Sequence, residues 1–277
     1  MTSVTHHKQQ HRNSKILKAR TQLYCYSPDI RKPSVLTRLT RIRGYNMKTK
    51  TRIIATIGPS SSSYPTLKSM VKAGMDIARI NTKYGAVEEY LQVVKRLKKI
   101  GGCRILFDIK GLKMVKWLRS QEFDYLAVSF AETASQIKKI RKMFLPRKIK
   151  VISKIENHKG LRNIDTLIKE SDGVMVARGD LGRNISFEKV PLAQKLIIKR
   201  CNRQKTMVVT ATEMLLSLMH SKVPERSEVS DIANAVLDGS DALMLSEETA
   251  IGKYPALAIK TMKLVVRETE KQMKKLK

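Results

Sequence analysis

Glu156 and Asp180 are the carboxylates in this sequence whose surroundings point most directly to chemistry. Each follows a short apolar run, KVISKI (150–155) and GVMVAR (173–178). If the runs are neighbouring parallel strands, both carboxylates converge at the strand ends. Two hard oxygen ligands with open positions suit Mg²⁺ or Mn²⁺ shared with a substrate. Lys154 stands two residues before Glu156 and so points to the same side of its strand. An ammonium beside a divalent ion can stabilise an enolate or a transferring phosphoryl group. Arg79 adds a planar fork suited to phosphate oxygens, and the glycines of ARGDLG (177–182) let backbone N–H groups approach an anion. A purely structural ion-pair network is the alternative for any one of these pairs; the four together favour chemistry.

The elements that must hold these residues are legible as two alternating patterns. Runs of apolar residues recur at 52–57, 76–80, 104–109, 125–130, 150–155, 173–178, 206–211 and 242–246, mostly uninterrupted, as in strands buried on both faces of a parallel sheet. Amphipathic helical stretches lie between them at 66–74, 87–102, 133–144, 161–171, 189–204, 227–240 and 254–271, with Gly74, Gly101 and Gly239 at helix ends. Eight β-then-α units make an α/β (β/α)8 barrel the economical fold, with a doubly wound open sheet as the fallback. A barrel places its site at the C-terminal strand ends. Polar residues collect there: Thr56 to Pro59, Asn81, Asp108 to Lys110, Ser129, Lys154 to Glu156, Arg178 to Asp180, Thr210 to Glu213 and Ser246 to Glu248.

Composition limits the remaining classes. No apolar run approaches the ~18 residues of a spanning helix. Cys25, Cys103 and Cys201 are too far apart for a zinc site or a disulfide framework and suit a reducing intracellular compartment. The formal charge of +31, from 55 Lys and Arg against 24 Asp and Glu, is far beyond what a small-molecule enzyme needs. Residues 1–46 hold ten Lys and Arg and one acid, so +22 remains on 47–277. Nucleic acid, in particular RNA within a ribonucleoprotein, is the partner this charge implies; a general lysine bias is the alternative. The chain divides into a basic, largely irregular extension (1–47) and the barrel (48–277). The extension reads either as an organelle transit peptide, which would place the protein in a mitochondrion or another organelle rather than the cytoplasm, or as an RNA-threading arm. Lys and Arg in 95–104, 138–150 and 195–205 fall on outer helices and on the loops opposite the candidate metal site.

Several motifs together resemble the pyruvate kinase family: TIGPSS (56–61), AGMDIARIN (73–81), SKIEN (153–157), SDGVMVARGDLG (171–182), EKVPLAQK (188–195), TATEML (210–215) and the run from Glu228 to Pro255. The resemblance covers about residues 48–272. It implies Mg²⁺ (or Mn²⁺) held by Glu156 and Asp180, with Lys154 beside the phosphoryl group and Thr212 near the enolate face where a proton is delivered. It also implies Arg79 and Lys110 near phosphate, and the Gly179 and Asp180 backbone receiving the carboxylate of phosphoenolpyruvate or pyruvate. Asn81 and Asp108 match positions near the monovalent-cation site.

The departures from the family are as informative. Only Lys110–Asp124 separate the third and fourth runs, where the family carries a lid domain. Val115 replaces a phosphate-binding arginine, and the family's C-terminal domain has no counterpart before Lys277. Glu213 stands for a glutamine, Glu247 for a glycine and Lys83 for a cation-binding serine. Lys113 replaces a glutamate, a change similar to that in potassium-independent members, so Lys113 or Lys83 is expected to stand in for K⁺. These features imply a weakly active or inactive Mg²⁺-dependent phosphotransferase. The alternatives are a basic pseudoenzyme subunit bound to RNA, as in an organellar ribosome, and a relic that pairs with a full-length relative.

Overall fold

The apolar runs become the strands of a closed, all-parallel barrel in the computed structural model, which describes residues 49–275; the extension over 1–47 lies outside the described residues. The strands are β1 Arg52–Ile57, β2 Ile77–Asn81, β3 Arg104–Ile109, β4 Tyr125–Val128, β5 Lys150–Ile155, β6 Gly173–Ala177, β7 Met207–Ala211 and β8 Ala242–Leu245, and β8 pairs back on β1. The helices are α1 Tyr64–Ala73, α2 Val87–Ile100, α3 Val115–Leu118, α4 Ala134–Met143, α5 His158–Arg162, α6 Ile164–Glu170, α7 Arg178–Ile185, α8 Val190–Arg203, α9 Arg226–Leu237, α10 Glu247–Ala250 and α11 Pro255–Met273. Single turns of 3-10 helix lie at Phe187–Lys189 and Leu216–Met219. Among the described residues no helix is long and apolar enough to cross a membrane.

A repeated aspartate fixes the strand register at the N-terminal end. Asp76, Asp124, Asp172 and Asp241 each stand just before an even-numbered strand. Their carboxylates accept from the N–H of Ile53, Ile105, Val151 and Val208 at 2.7, 2.8, 2.8 and 2.8 Å, the second residue of the preceding odd-numbered strand. The backbone N–H of each aspartate returns a 2.9 Å bond to the carbonyl of the same residue. Hydrogen bonds to a charged acceptor are worth roughly 1.5–3 kcal/mol. A one-residue slip would break this bracket and turn every inward side chain outward.

Alternation along the strands fills the barrel interior in layers, as closure of eight strands requires. Ile54, Leu106, Ile152 and Val209 form one apolar layer, with Ile77, Tyr125, Ala127, Met175, Ala242 and Met244 above and below it. A larger apolar shell seals strands against helices, from Ile53 and Phe107 to Val266. Helix boundaries follow local chemistry: Ser63 and Thr133 accept from the third residue onward to cap α1 and α4. Gly74 ends α1 at φ 111°, where any Cβ would be strained.

Two elements differ from the sequence expectation. The stretch 161–171 is split at Asn163 into α5 and α6, because Asn157 caps a separate short helix by accepting from Gly160 N–H at 2.9 Å. The glycine-containing segment after β6, to which the sequence assigned no helix, is the helix α7. The link from β3 to β4 packs down on the flank of the barrel. Trp117 meets the Phe107 ring edge-on at 5.6 Å, and Phe123 bridges Phe107 and Phe144 at 5.8 and 5.9 Å. Val115 is buried in the same apolar shell.

Candidate active site

Period-two alternation carries the charged residues to the C-terminal rim. Arg79 is the inward residue of β2 above Ile77, Asp108 that of β3 above Leu106, and Lys154 that of β5 above Ile152. All three are buried, as is Glu156 just past β5. Arg79 places Nε and Nη2 at 2.9 and 2.8 Å from one Asp108 oxygen and Nη1 at 2.9 Å from Thr56 Oγ1. Lys154 Nζ lies 3.1 Å from Asp108, 2.9 Å from Ser129 Oγ and 2.9 Å from Glu156 Oε1. Ser129 also donates to Asp108 at 3.2 Å. The network alternates in sign, Arg79, Asp108, Lys154, Glu156, which is what lets four ionised groups stay buried together. Burial pushes the Asp108 carboxyl up, but Arg79 and Lys154 outweigh it and hold the group below the usual carboxylate range.

Glu156 is less well satisfied. Oε2 accepts from Phe130 N–H at 2.5 Å, whereas Oε1 faces Lys154 as an ion pair without an aligned hydrogen bond. Burial raises its carboxyl above the ordinary value, and Lys154 only partly offsets this. A buried carboxylate oxygen without a donor is an acceptor site for a cation. Asp180, in the first turn of α7, is half-exposed and paired only loosely with Arg183 at 3.3 Å. Glu156 and Asp180 sit at the same ends of the paired strands β5 and β6. Among the described residues no cluster of three or more acidic, histidine or cysteine side chains forms a metal cage. Glu156 and Asp180 could hold a divalent ion only with the remaining ligands coming from substrate and water.

Thr212 closes the far side. Its Oγ1 accepts from Gly179 N–H at 2.9 Å and donates to Ala211 O at 2.6 Å, so the N–H expected to meet a substrate carboxylate is engaged by Thr212 in this structure. Thr212 and Glu213 both have positive φ, 71° and 53°. For a β-branched residue that is strain, sustained only where surroundings over-determine it. Arg178 supplies the constraint, reaching the carbonyls of Ala211, Thr212 and Glu213 while Nη1 is held by Asp231 at 2.6 Å. Glu248 completes it, buried and accepting from the N–H groups of Met214, Leu215 and Ser246.

The sequence placed Arg178, Ser129 and Glu248 at strand ends without assigning them a role. Their polar types at those positions were the available signal, but Asp231 lies 53 residues from Arg178 and Glu248 34 from Met214, so neither partnership is visible locally. Arg79, Asp108, Lys154 and Glu156 come together in one network, with Asn81 beside Asp108 in the strand register. The two lysines expected to stand in for K⁺ are both exposed. Lys83 Nζ sits 5.1 Å above the Tyr84 ring and Lys113 is exposed, so the cations that reach Asp108 are Arg79 and Lys154. Lys110 is also exposed, its Nζ 5.5 Å from the Phe130 ring.

Comparison with known proteins agrees with this geometry. The family model described as "Pyruvate kinase, barrel domain" matches residues 48–116 and 110–259, two segments that meet in the β3–β4 link. A pyruvate kinase of Thermococcus litoralis is 30% identical over 338 residues, covering 82% of this chain and 71% of the relative. That alignment is longer than the part of this chain it uses by about 110 positions, which have no counterpart here. Pyruvate kinases of Geobacillus stearothermophilus and Leishmania mexicana are 48% and 49% identical over 156 and 152 residues, 55% and 54% of this chain but only 27% and 30% of those proteins. The matching barrel model, the Thermococcus alignment and the rim network agree: this chain belongs to the pyruvate kinase family.

Proposed function

We propose that this barrel binds phosphoenolpyruvate or pyruvate with Mg²⁺ (or Mn²⁺) at its C-terminal rim, keeps the enolate half of the family's chemistry, and transfers phosphoryl groups to ADP only weakly. The observation that carries this reading is the buried Asp108–Lys154–Glu156 array, with Glu156 Oε1 left without a hydrogen-bond donor. Glu156 and Asp180 would hold the divalent ion, which supplies positive charge against a developing enolate and the phosphoryl oxygens. Lys154 brings a second positive charge to the same place, and Asp108 and Ser129 fix its Nζ so that none of it must reorganise during reaction. Arg79 is braced by Asp108 and Thr56, and two of its five N–H groups remain for phosphate. Thr212 is held with its hydroxyl at the opposite side of the mouth, where it can hold or pass a proton at Oγ1.

Weak phosphoryl transfer follows from what covers the rim. The link Lys110–Asp124 packs on the barrel flank, and Val115 is buried where the resemblance calls for a phosphate-binding arginine. Without a closing domain water enters, and electrostatic groups lose strength in it. Well-placed electrostatic groups are worth ~10²–10³-fold each, so missing two of them costs several orders of magnitude.

Deuterium exchange at the pyruvate methyl in D₂O with Mg²⁺, followed by proton NMR, tests this. Exchange is expected in the wild type and should fall about 100-fold or more in Lys154→Met. The rate is expected to be the same in KCl and in tetramethylammonium chloride, because Arg79 and Lys154 already neutralise Asp108. Absence of exchange in pure folded protein removes the enzymatic reading; a strong rise in KCl removes potassium independence.

A second reading rests on the +31 charge. We propose RNA within a ribonucleoprotein as the partner, contacted by 1–46 and by the basic outer helices α2, α4 and α8. Five cations on these helices are paired with acids, as Lys98–Glu122, Lys138–Glu170, Arg141–Asp172, Lys195–Asp238 and Arg200–Asp165, which leaves the net excess unchanged. That excess should make the protein co-sediment with RNA particles and release at about 0.5 M salt, since each phosphate contact contributes a slope near −0.9 in log K against log salt. An RNA-free protein with no RNA affinity at physiological salt ends this reading.

A further inference from the structure

The layer of side chains at the opposite, N-terminal mouth of the barrel has an unusual make-up. Strand alternation puts Arg52, Arg104, Lys150 and Met207 there, the inward residues at the starts of β1, β3, β5 and β7. Such a layer in a parallel barrel serves packing and is built from bulky apolar residues; here three of its four members are cations. Arg52 and Arg104 both donate to the hydroxyl of Tyr125, at 3.1 and 2.7 Å, and Lys150 Nζ lies 5.9 Å from the centre of the same ring. The remaining contact of the Arg52 fork is the Met207 sulfur at 2.7 Å, a weak acceptor.

Among the described residues none of these three cations has a carboxylate partner. The neighbouring acid, Asp76, holds Ile53 N–H and Lys263 Nζ, the latter at 2.8 Å, both through Oδ2. Two guanidinium groups therefore share one neutral oxygen, an arrangement of like charges that an anion would relieve. Tyr125 is buried, and with both acceptor positions of its hydroxyl taken by arginine its proton has no protein acceptor among the described residues. Arg52 and Arg104 also line a cavity of about 600 Å³ with Lys50, Gly102, Cys103 and one acid, Asp76. Burial pushes the Cys103 thiol up to about 12, so it stays neutral and does not compete as an anion.

We propose that this mouth is an anion site for a phosphate group, bound by the forks of Arg52 and Arg104 with Lys150 and the Tyr125 hydroxyl. Guanidinium forks match phosphate oxygens bidentately, and the phenol supplies the further donor a tetrahedral anion needs. The apolar layers through Ile54, Leu106, Ile152 and Val209 separate it from the Glu156 rim, so the two sites are independent. The phosphate has two sources, a free phosphate or pyrophosphate and the backbone of a nucleic acid.

Titration of the full chain with inorganic pyrophosphate at low salt, by calorimetry and by thermal shift, reads the site. Affinity should fall roughly tenfold for each arginine removed, in Arg52→Gln and Arg104→Gln, as expected for a charge-assisted bond. Tyr125→Phe keeps the ring and should fall several-fold, which separates anion binding from loss of folding. Lys195→Gln with Lys199→Gln, on a different basic face, should leave it unchanged, as should Glu156→Gln. The same variants titrated with a single-stranded oligonucleotide identify the source. Parallel loss of oligonucleotide binding assigns a nucleic-acid phosphate, and its retention with loss of pyrophosphate binding assigns a free one. Pyrophosphate binding that is absent, or equal in wild type and all three mouth variants, overturns the proposal.

Discussion

Mn²⁺ binding is expected to disappear in Glu156→Gln and to weaken by at least tenfold in Asp180→Asn, as followed by electron paramagnetic resonance of the free ion. Glu156 Oε1 is buried, without a hydrogen-bond donor, and adjacent to a single ammonium. Converting the carboxylate to an amide removes the anionic ligand and leaves either a weak carbonyl acceptor or an NH₂ group facing the ion. The loss is therefore close to complete, because a hard divalent cation depends on ionised oxygen ligands. Asp180 is half-exposed, so water can replace part of what its carboxylate supplies, and the loss should be smaller. Folding should survive in both variants. The amide oxygen introduced by Glu156→Gln can still accept from Phe130 N–H, and Asp180 holds only a loose pair with Arg183. Equal Mn²⁺ affinity in the wild type and both variants would place the ion elsewhere and withdraw the rim as its site. That result would leave the phosphate site at the opposite mouth untouched, since no residue is shared.

Asp108→Asn should lower stability by about 3 kcal/mol, near the lower end of what removing one partner of a buried ion pair costs. Among the described residues Asp108 is the sole carboxylate paired with Arg79, and it shares Lys154 with Glu156. The substitution leaves the guanidinium buried against amide and hydroxyl oxygens alone, while Lys154 keeps Glu156 and limits the damage. For a barrel of this size that corresponds to a melting temperature roughly 10 °C lower. The pH dependence carries the same signature. Because the folded-state pKa of Asp108 is depressed, its contribution is fully present above the unfolded value near ~4 and is lost as pH falls through the lower folded value. The wild type should therefore lose stability over that acid range more steeply than Asp108→Asn. A variant as stable as the wild type at neutral pH would show that Arg79 finds adequate compensation without this carboxylate.

Much of this architecture is legible in the chain. Uninterrupted runs such as RILFDI (104–109) and KVISKI (150–155) correspond residue for residue to β3 and β5, because strands buried on both faces tolerate few polar positions. The ends of helices read less accurately. Residues 161–171 have the pattern of one amphipathic helix, but a local asparagine cap at Asn157 starts a separate short one before it. No helix was assigned directly after β6, whereas α7 begins at Arg178.

The types and strand-end positions of Arg79, Asp108, Lys154, Glu156 and Asp180 were determined by the sequence alone, since a barrel of parallel strands sends all such ends to one rim. Which cation meets which anion was decided only by closure. Barrel closure brings both Arg79 and Lys154 to Asp108, and leaves Lys83 and Lys113 exposed. The strained backbone at Thr212 and Glu213 was likewise invisible, because the Arg178 and Glu248 that hold it are distant in sequence. The same is true of the basic mouth. Arg52, Arg104 and Lys150 look like ordinary strand-flanking charges until the barrel closes and gathers all three around one tyrosine, an effect of long-range register that no local pattern encodes.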